Sequence, residues 1–135
     1  IGVAVATQRK TAVLIGDIAL LHDSSSLADL HRRHVELKII VTDNDGGGIF
    51  HYLPQATLVN ADAFEMLFGT RHGTDLLQLA KAHHLATFDC RSAAELRSAL
   101  SSPGTCVIRV HTDRNNEVST HQEVNALVVS ALRNQ

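Results

Sequence analysis

Leu37-Lys38-Ile39-Ile40-Val41 is followed, after one threonine, by Asp43-Asn44-Asp45-Gly46-Gly47-Gly48-Ile49-Phe50. The short apolar run predicts a buried strand. Three consecutive glycines then allow the backbone to turn sharply and to approach a ligand closely. Polar oxygens followed by a glycine loop at the carboxyl end of a strand indicate a site for a charged ligand in an open α/β sheet.

A second strand with a polar end lies upstream. Residues 11–15 form an apolar run rich in β-branched side chains, typical of a buried parallel strand, and the run ends at Gly16-Asp17. Residues 18–34 are predicted to form one helix, because three leucines recur there on one face. Strand, helix and strand make a βαβ unit. We therefore expect Asp17 and Asn44 to lie side by side at the carboxyl edge of the sheet.

The remaining sequence alternates helices and strands. Predicted elements are a packed helix end at 1–6, an irregular segment at 49–60, a short apolar turn at 64–68, a helix at 76–84 capped by Thr74 or Asp75, a strand at 87–89, a helix behind a Ser92–Glu95 capping box, a strand at 105–110 and a helix at 118–133. This order predicts an α/β fold with a doubly wound, mostly parallel sheet and helices on both faces. Residues 1–135 are expected to be a single domain, truncated at its N-terminus because the chain opens in an apolar run without methionine.

Composition argues against several classes of protein. The net charge of -2 gives no electrostatic footprint for nucleic acid. No apolar run approaches the roughly 20 residues needed to cross a bilayer, and no leader peptide is apparent, so we expect a cytoplasmic protein without a membrane span. Cys90 and Cys106 are too few for a disulfide framework, and we expect both to be small buried side chains.

The two polar strand ends predict a metal site. The Asp17 carboxylate, the Asn44 amide oxygen and a backbone carbonyl of the glycine loop are hard oxygen ligands, which suit Mg²⁺. The helix that follows Asp17 would point its N-terminus, with free N–H groups and a partial positive charge, at the same place. The sequence therefore predicts a Mg²⁺–diphosphate site.

Gly16-Asp17-Ile18 and Asp43-Asn44 resemble the GDG and NN signature of thiamine-diphosphate enzymes, with a similar interval between the halves. Ile18 replaces the third residue of GDG and Asp43 the first asparagine, and neither is a metal ligand in that family. The resemblance implies that Asp17, the Asn44 side chain and the Gly46 carbonyl bind Mg²⁺, or alternatively Mn²⁺. The cofactor-binding set that it implies is Asp17, Ile18, Ala19, Asn44, Gly46, Gly47 and Ile49, with the backbone N–H groups of Ile18 and Ala19 on the diphosphate.

Longer motifs resemble one branch of that family, the 2-succinyl-5-enolpyruvyl-6-hydroxy-3-cyclohexene-1-carboxylate (SEPHCHC) synthases of menaquinone biosynthesis. They are GDIALLHD at 16–23, DNDGGGIFHYLPQ at 43–55 and FEMLFGTRHG at 64–73. Arg71 stands where that branch commonly has proline, and His51 where it has a small polar residue.

The resemblance implies a transferase that decarboxylates 2-oxoglutarate and adds the resulting four-carbon unit to isochorismate. Ile49, Phe50 and Leu53 would line the substrate. The catalytic glutamate of the family lies on an upstream domain of a partner subunit, so no catalytic residue is expected in this chain. The chain alone is expected to be inactive, and the complete protein to be a homodimer or homotetramer.

Other interpretations remain open. The chain could belong to a thiamine-diphosphate carboligase or decarboxylase of the acetolactate-synthase type, or be a non-catalytic phosphate-binding α/β module. Asp17 alone could be a helix cap, and the three glycines a simple turn. Solvated helix faces are expected for most histidines, packing is favoured for His22, and the role of His51 is undecided.

Overall fold

The computed structural model describes residues 1–133, and of residue 115 only the backbone. The chain forms two compact units. The sheet unit comprises Ile1–Asp45 and His72–His111, and the helical unit comprises Gly46–Arg71 and the chain from Thr112 onward. The prediction of one domain over 1–135 stays a prediction.

Four parallel strands form the sheet unit's centre: β1 Thr11–Gly16, β2 Leu37–Asp43, β3 Ala86–Cys90 and β4 Cys106–His111. Their order across the sheet is β1-β2-β4-β3. Strand β3 is therefore an edge strand, and β4 fills the position between β2 and β3. Gly16 pairs with Thr42, and Asp43 pairs with His111. Because all strands run in one direction, these carboxyl ends share one edge of the sheet.

The α-helices, in chain order, are α1 Gly2–Thr7, α2 Asp17–His22, α3 Gln55–Leu58, α4 Ala61–Phe64, α5 Leu76–Ala82, α6 Ala93–Ser101 and α7 Arg114–Arg133. Short 3₁₀ turns cover Ser24–Leu27, Leu30–Arg32 and Gly48–Tyr52, and a π-helical turn covers Glu65–Gly69. None of the helices within the described residues is long and apolar enough to span a membrane.

Helices cover both faces of the sheet, which confirms the predicted fold class. Alternation of side chains along β2 sends Leu37, Ile39 and Val41 into one core cluster, which also receives side chains of α1, α2 and α5. Ile40 packs in a second cluster, where α6 meets β3 and β4 around Ile108. Both clusters consist of buried apolar side chains, the main stabilising contribution in such a fold.

The predicted helix over 18–34 is wrong beyond residue 22. Helix α2 ends at His22, and the two 3₁₀ turns follow it. Asp29 has a φ of 58°, a left-handed conformation that no α-helix continues through. Serines 24–26 also favour turns, because their hydroxyls compete for backbone hydrogen bonds. The leucines that suggested the helix are nevertheless buried, namely Leu20, Leu27 and Leu30.

The predicted caps are present. Asp75 accepts hydrogen bonds from the backbone N–H groups of Leu77 and Gln78 at the start of α5. Ser92 accepts one from the Glu95 N–H at the start of α6. The Glu95 carboxylate accepts the backbone N–H of Arg91 at 2.7 Å, and this bond is the main reason why the pKa of Glu95 is lowered.

A lysine is buried inside the sheet, which the apolar run around it does not suggest. Lys38 lies on β2 with 1% of its surface exposed. Its Nζ donates to the carbonyl oxygens of Ser102 and Gly104, both at 2.6 Å, and lies 3.3 Å from the Ser102 hydroxyl. The ammonium group thereby satisfies its three donors and holds the loop between α6 and β4.

Both cysteines are free thiols in buried positions, as expected. Burial raises the pKa of the Cys90 thiol.

In the helical unit, Arg114 is buried. Its Nη1 donates to the Gly69 carbonyl at 3.0 Å, and its Nη2 lies 3.2 Å from the Glu65 carboxylate.

The last helix, α7, begins four residues before its predicted start. The apolar side chains predicted to share one face of it include Val124, Leu127, Val128 and Leu132, and each is at least half exposed.

Candidate functional site

The site is built where β1 and β2 end. Asp17 is the first residue of α2 and follows β1 directly, and Asn44 is the first residue after β2. The parallel register pairs Gly16 with Thr42, which sets the two polar residues beside one another. The backbone N–H of Asn44 donates to Oδ2 of Asp17 at 3.2 Å. The structure thus brings together the pair that the sequence predicts.

Only 4% of Asp17 is exposed, and several polar groups contact its carboxylate. Oδ1 accepts the backbone N–H of Ile18 at 2.7 Å. Oδ2 lies 3.3 Å from Nε2 of His72 in addition to its bond with Asn44. A buried carboxylate is costly unless it is hydrogen-bonded or paired, and these contacts meet that requirement.

Asp43 and His72 complete a cluster that sequence reasoning missed. One ligand atom each of Asp17, Asp43 and His72 lie within 4.8 Å of one another, a spacing that can hold a metal ion. In the sequence, Asp43 is conspicuous only as a replacement in the NN signature. His72 lies inside the FEMLFGTRHG motif, which is the available signal, but 55 residues separate it from Asp17.

Backbone hydrogen bonds fasten the two loops that carry this cluster. Asp45 accepts the backbone N–H of Gly73 at 2.8 Å, and its own N–H donates to Oδ1 of Asp43 at 3.1 Å. The N–H of Thr74 donates to Nδ1 of His72 at 2.9 Å. The loop after β2 and the loop before α5 are therefore one connected structure around Asp17.

A charged network occupies the ends of β3 and β4 in the sheet unit. Arg109 Nε and Nη2 donate to the two oxygens of Asp89 at 3.1 and 2.9 Å, and His111 Nε2 lies 2.6 Å from Asp89 Oδ1. The Arg109 bonds, aided by His111 and opposed by partial burial, lower the pKa of Asp89 to about 2. Arg109 Nη1 also lies 3.9 Å from carboxylate oxygens of Asp43 and Asp75. Arg109 therefore offsets part of the negative charge beside the candidate site.

The glycine loop belongs to the helical unit, where its backbone packs closely. Gly46 has a φ of 138°, and a Cβ there would lie 2.2 Å from the Gly69 carbonyl oxygen. A Cβ on Gly47 would lie 2.4 Å from the Phe68 carbonyl oxygen. The Gly47 N–H donates to the Gly69 carbonyl at 2.8 Å. These glycines are required by close backbone contacts rather than by a turn alone.

The apolar residues after the glycines differ in exposure. Ile49 and Leu53 are 74% and 43% exposed, and the Phe50 ring packs on Phe68 with 5.7 Å between centroids. Their assignment to a substrate wall stays a prediction. The His51 ring contacts Phe64 edge to face, so it has a packing role within this unit.

The backbone N–H of Ile18 is already donated to Asp17, and Ala19 is exposed. The assignment of both residues to the diphosphate stays a prediction. His22, for which the sequence favours packing, is exposed at the end of α2.

Comparison with known families decides the class of protein. Residues 1–110 match the model of the thiamine pyrophosphate enzyme, C-terminal TPP binding domain. The chain belongs to this thiamine pyrophosphate enzyme family. As a TPP-binding domain, it has thiamine diphosphate as its cofactor.

Curated relatives in the family carry the name SEPHCHC synthase. The proteins of Chloroflexus aurantiacus and Myxococcus xanthus are 38% and 37% identical over 135 residues, which is 98% of this chain and 23% of each relative. That of Rubrobacter xylanophilus is 41% identical over 127 residues, 91% of this chain and 21% of the relative. The chain therefore spans less than a quarter of the length of these relatives.

A solved structure supports the fold. Benzoylformate decarboxylase from Polynucleobacter necessarius superposes with a TM-score of 0.64 and 22% identity, over 81% of this chain and 20% of that one. At this identity the likeness shows the α/β fold of the TPP-binding domain and nothing about substrate.

The donor groups fit a hard divalent cation. Two carboxylates, Asp17 and Asp43, and the loop of Asn44 lie together at the end of parallel strands. Carboxylate and amide oxygens are the ligands that Mg²⁺ prefers, with phosphate and water oxygens filling its octahedron. The sheet unit thus offers oxygen ligands of the kind that such a cation takes.

Proposed function

We propose that this chain is the cofactor-binding part of a SEPHCHC synthase. The complete enzyme would decarboxylate 2-oxoglutarate and transfer the remaining four-carbon unit to isochorismate, releasing CO₂, in menaquinone biosynthesis. The observation that carries the proposal is similarity over almost the whole chain to relatives with that name. The meeting of Asp17 and Asn44 at the ends of β1 and β2 supports it, because the family resemblance assigns metal ligands to these two positions.

The residues have separate roles in this proposal. Asp17 supplies a charged oxygen ligand for Mg²⁺, and Asn44 supplies an amide oxygen. The Gly46 carbonyl is assigned as the third protein ligand by family resemblance alone. Ile18, Ala19, Gly47 and Ile49 are assigned to the cofactor on the same basis, and Mn²⁺ could replace Mg²⁺.

Thiamine diphosphate, when bound, supplies the electron sink that decarboxylation of a 2-oxo acid and carbon–carbon bond formation require. The role of this chain's own residues is to bind the cofactor with its metal ion and to orient them. Asp17 carries the negative charge that a divalent cation needs, and its hydrogen bonds with Ile18 and Asn44 fix the direction of its oxygens. Preorganised groups of this kind need not rearrange when the ligand binds.

Ile49, Phe50 and Leu53 are proposed to form the apolar part of the substrate surface. Ile49 and Leu53 expose apolar side chains that a ring such as that of isochorismate could cover. Such a surface would exclude water from the reacting groups.

Assembly is proposed from the resemblance as well. The catalytic glutamate is expected from another domain of a partner subunit, in a homodimer or homotetramer. The chain by itself is then expected to be inactive, and the enzyme is proposed to act in the cytoplasm on small soluble acids.

The proposal is tested with the full-length protein. CO₂ release from 2-oxoglutarate is followed with isochorismate present, with and without thiamine diphosphate and Mg²⁺. We expect release that requires both cofactors and that is lost in an Asp17→Ala variant. An Asp23→Ala variant is the matched control, because Asp23 is an exposed carboxylate just after α2.

Other outcomes would replace the proposal. Release from pyruvate but not from 2-oxoglutarate would assign the protein to the acetolactate-synthase type. No turnover of either acid would favour a phosphate-binding module without catalysis.

A further inference from the structure

His72 stands out among the histidines of the sheet unit because it is largely buried and lies against a proposed metal ligand. Its side chain is 11% exposed, and Nε2 lies 3.3 Å from Oδ2 of Asp17. The sequence places it 55 residues after Asp17, on the loop between the π-helical turn and α5.

The hydrogen bonds of the ring define its tautomer. The Thr74 backbone N–H lies 2.9 Å from Nδ1 of His72, and a backbone N–H only donates. Nδ1 must therefore be the acceptor nitrogen, without a proton. The Asp45 carboxylate, 3.7 Å from Nδ1, is too distant to compete as a hydrogen-bond partner. The ring proton is then on Nε2, which donates to Oδ2 of Asp17.

We propose that His72 is a positioning residue for the metal-binding carboxylate of Asp17. This inference rests on the proposed function and deepens it. The Nε2–H of His72 and the N–H of Asn44 both donate to Oδ2, so this oxygen is held from two directions. The carboxylate keeps one orientation before a cation arrives, and less entropy is lost when the cation binds.

His72 itself is not a ligand in this proposal, although it lies in the cluster with Asp17 and Asp43. A nitrogen that carries a proton has no lone pair for a metal ion. Mg²⁺ also prefers oxygen ligands to imidazole. Groups that orient a metal ligand commonly change metal affinity by about 10- to 100-fold when they are removed.

The loop around His72 is built to keep the ring in place. Gly73 donates its N–H to Asp45, and Asp45 donates its own to Asp43. The ring therefore contacts its own loop through Thr74 on one side and Asp17, at the start of α2, on the other. The most direct route from His72 to the metal is the contact of Nε2 with Asp17.

The test measures metal affinity in the full-length protein. Mg²⁺ is titrated calorimetrically, and Mn²⁺ by electron paramagnetic resonance, with thiamine diphosphate present. We expect His72→Leu to weaken binding of both ions about 10-fold or more. His72→Gln should recover most of the affinity, because its amide N–H can donate from nearly the same position.

His111→Leu is the matched control. It removes another histidine–aspartate contact at the same edge of the sheet, that of His111 with Asp89, and should leave Mg²⁺ affinity unchanged. Thermal unfolding of each variant shows whether it is folded. A ¹⁵N NMR spectrum of the wild-type ring provides a measurement without any substitution, and we expect protonated Nε2 and unprotonated Nδ1.

Several results would overturn the role of His72. They are unchanged Mg²⁺ affinity in folded His72→Leu protein, a ring protonated on Nδ1 alone, or a loss of affinity in both variants that is greater for Zn²⁺, titrated calorimetrically in the same way, than for Mg²⁺. The last result would make His72 a direct ligand. Failure of the wild-type protein to bind Mg²⁺ with thiamine diphosphate would overturn the proposed function, and this role with it.

Discussion

The backbone N–H of Asn44 donates to Oδ2 of Asp17 at 3.2 Å, across 27 positions of sequence. This bond joins the ends of two neighbouring parallel strands, and only 4% of Asp17 is exposed. A buried carboxylate held in this way is suited to a cation, and four changes to the molecule test that arrangement and the structure around it.

Ligand binding should stabilise the full-length protein through Asp17. Mg²⁺ and thiamine diphosphate together should raise its free energy of unfolding by about 2.7 kcal/mol at 100 times the dissociation constant. Asp17→Asn keeps the shape of the side chain and removes its charge, so this Mg²⁺-dependent gain should be lost. Thermal unfolding with and without both ligands measures it, with exposed Asp23→Asn as the control. An equal gain in Asp17→Asn would show that Asp17 is not a metal ligand.

Lys38→Met should destabilise the fold by about 1–3 kcal/mol, because two carbonyl groups in partly buried hydrogen bonds lose their donor. Those carbonyls belong to Ser102 and Gly104, and methionine has a similar length but no N–H. Urea denaturation measures the loss. Lys81→Met, at an exposed position of α5, should change stability by less than about 0.5 kcal/mol. Equal stability of the two variants would mean that the hydrogen bonds of Lys38 make no net contribution to the free energy of unfolding.

Stability should fall in acid partly through Asp89. Its pKa is lowered from 3.8 to about 2 in the folded protein, chiefly by Arg109. The folded state therefore gains stability from ionised Asp89 above pH 4 and loses it as the pH falls from about 4 to about 2. Since the Asp89 side chain is 37% exposed, solvent screening limits this gain to about 1 kcal/mol.

Asp89→Asn should accordingly lower stability at pH 7 and flatten its dependence on pH between 4 and 2. Denaturation at a series of pH values measures both effects, and Asp23→Asn should retain the wild-type slope. If Asp89→Asn keeps the wild-type dependence of stability on pH between 4 and 2, the Asp89–Arg109 pair is not the cause of that dependence.

Gly47→Ala should destabilise the helical unit by about 1–3 kcal/mol, because the new Cβ meets the Phe68 carbonyl oxygen. Hydrogen exchange of the 46–52 backbone should also accelerate, since the Gly47–Gly69 bond would be strained. Gly2→Ala is the control, because nothing lies within 4 Å of a Cβ there and alanine favours helix α1. Slow exchange retained in Gly47→Ala would mean that the loop accommodates a side chain.

Much of the fold was predictable because its signals are local. The apolar runs that became β1 and β2, and the caps at Asp75 and Ser92, depend on residues only a few positions apart. The pairing of Asp17 with Asn44 followed from βαβ topology, since parallel strands end at one edge. The split of the 18–34 helix was missed because burial of its leucines does not require one continuous helix.

The amino-acid sequence by itself determined the strands, their parallel direction and the two residues at the candidate site, Asp17 and Asn44. Only the tertiary structure decided that His72 lies against Asp17, that Lys38 is buried, and that Asp89 pairs with Arg109. Each of these contacts joins residues at least 20 positions apart. Such contacts depend on how packed elements come together rather than on local preference, which is why no short motif could specify them.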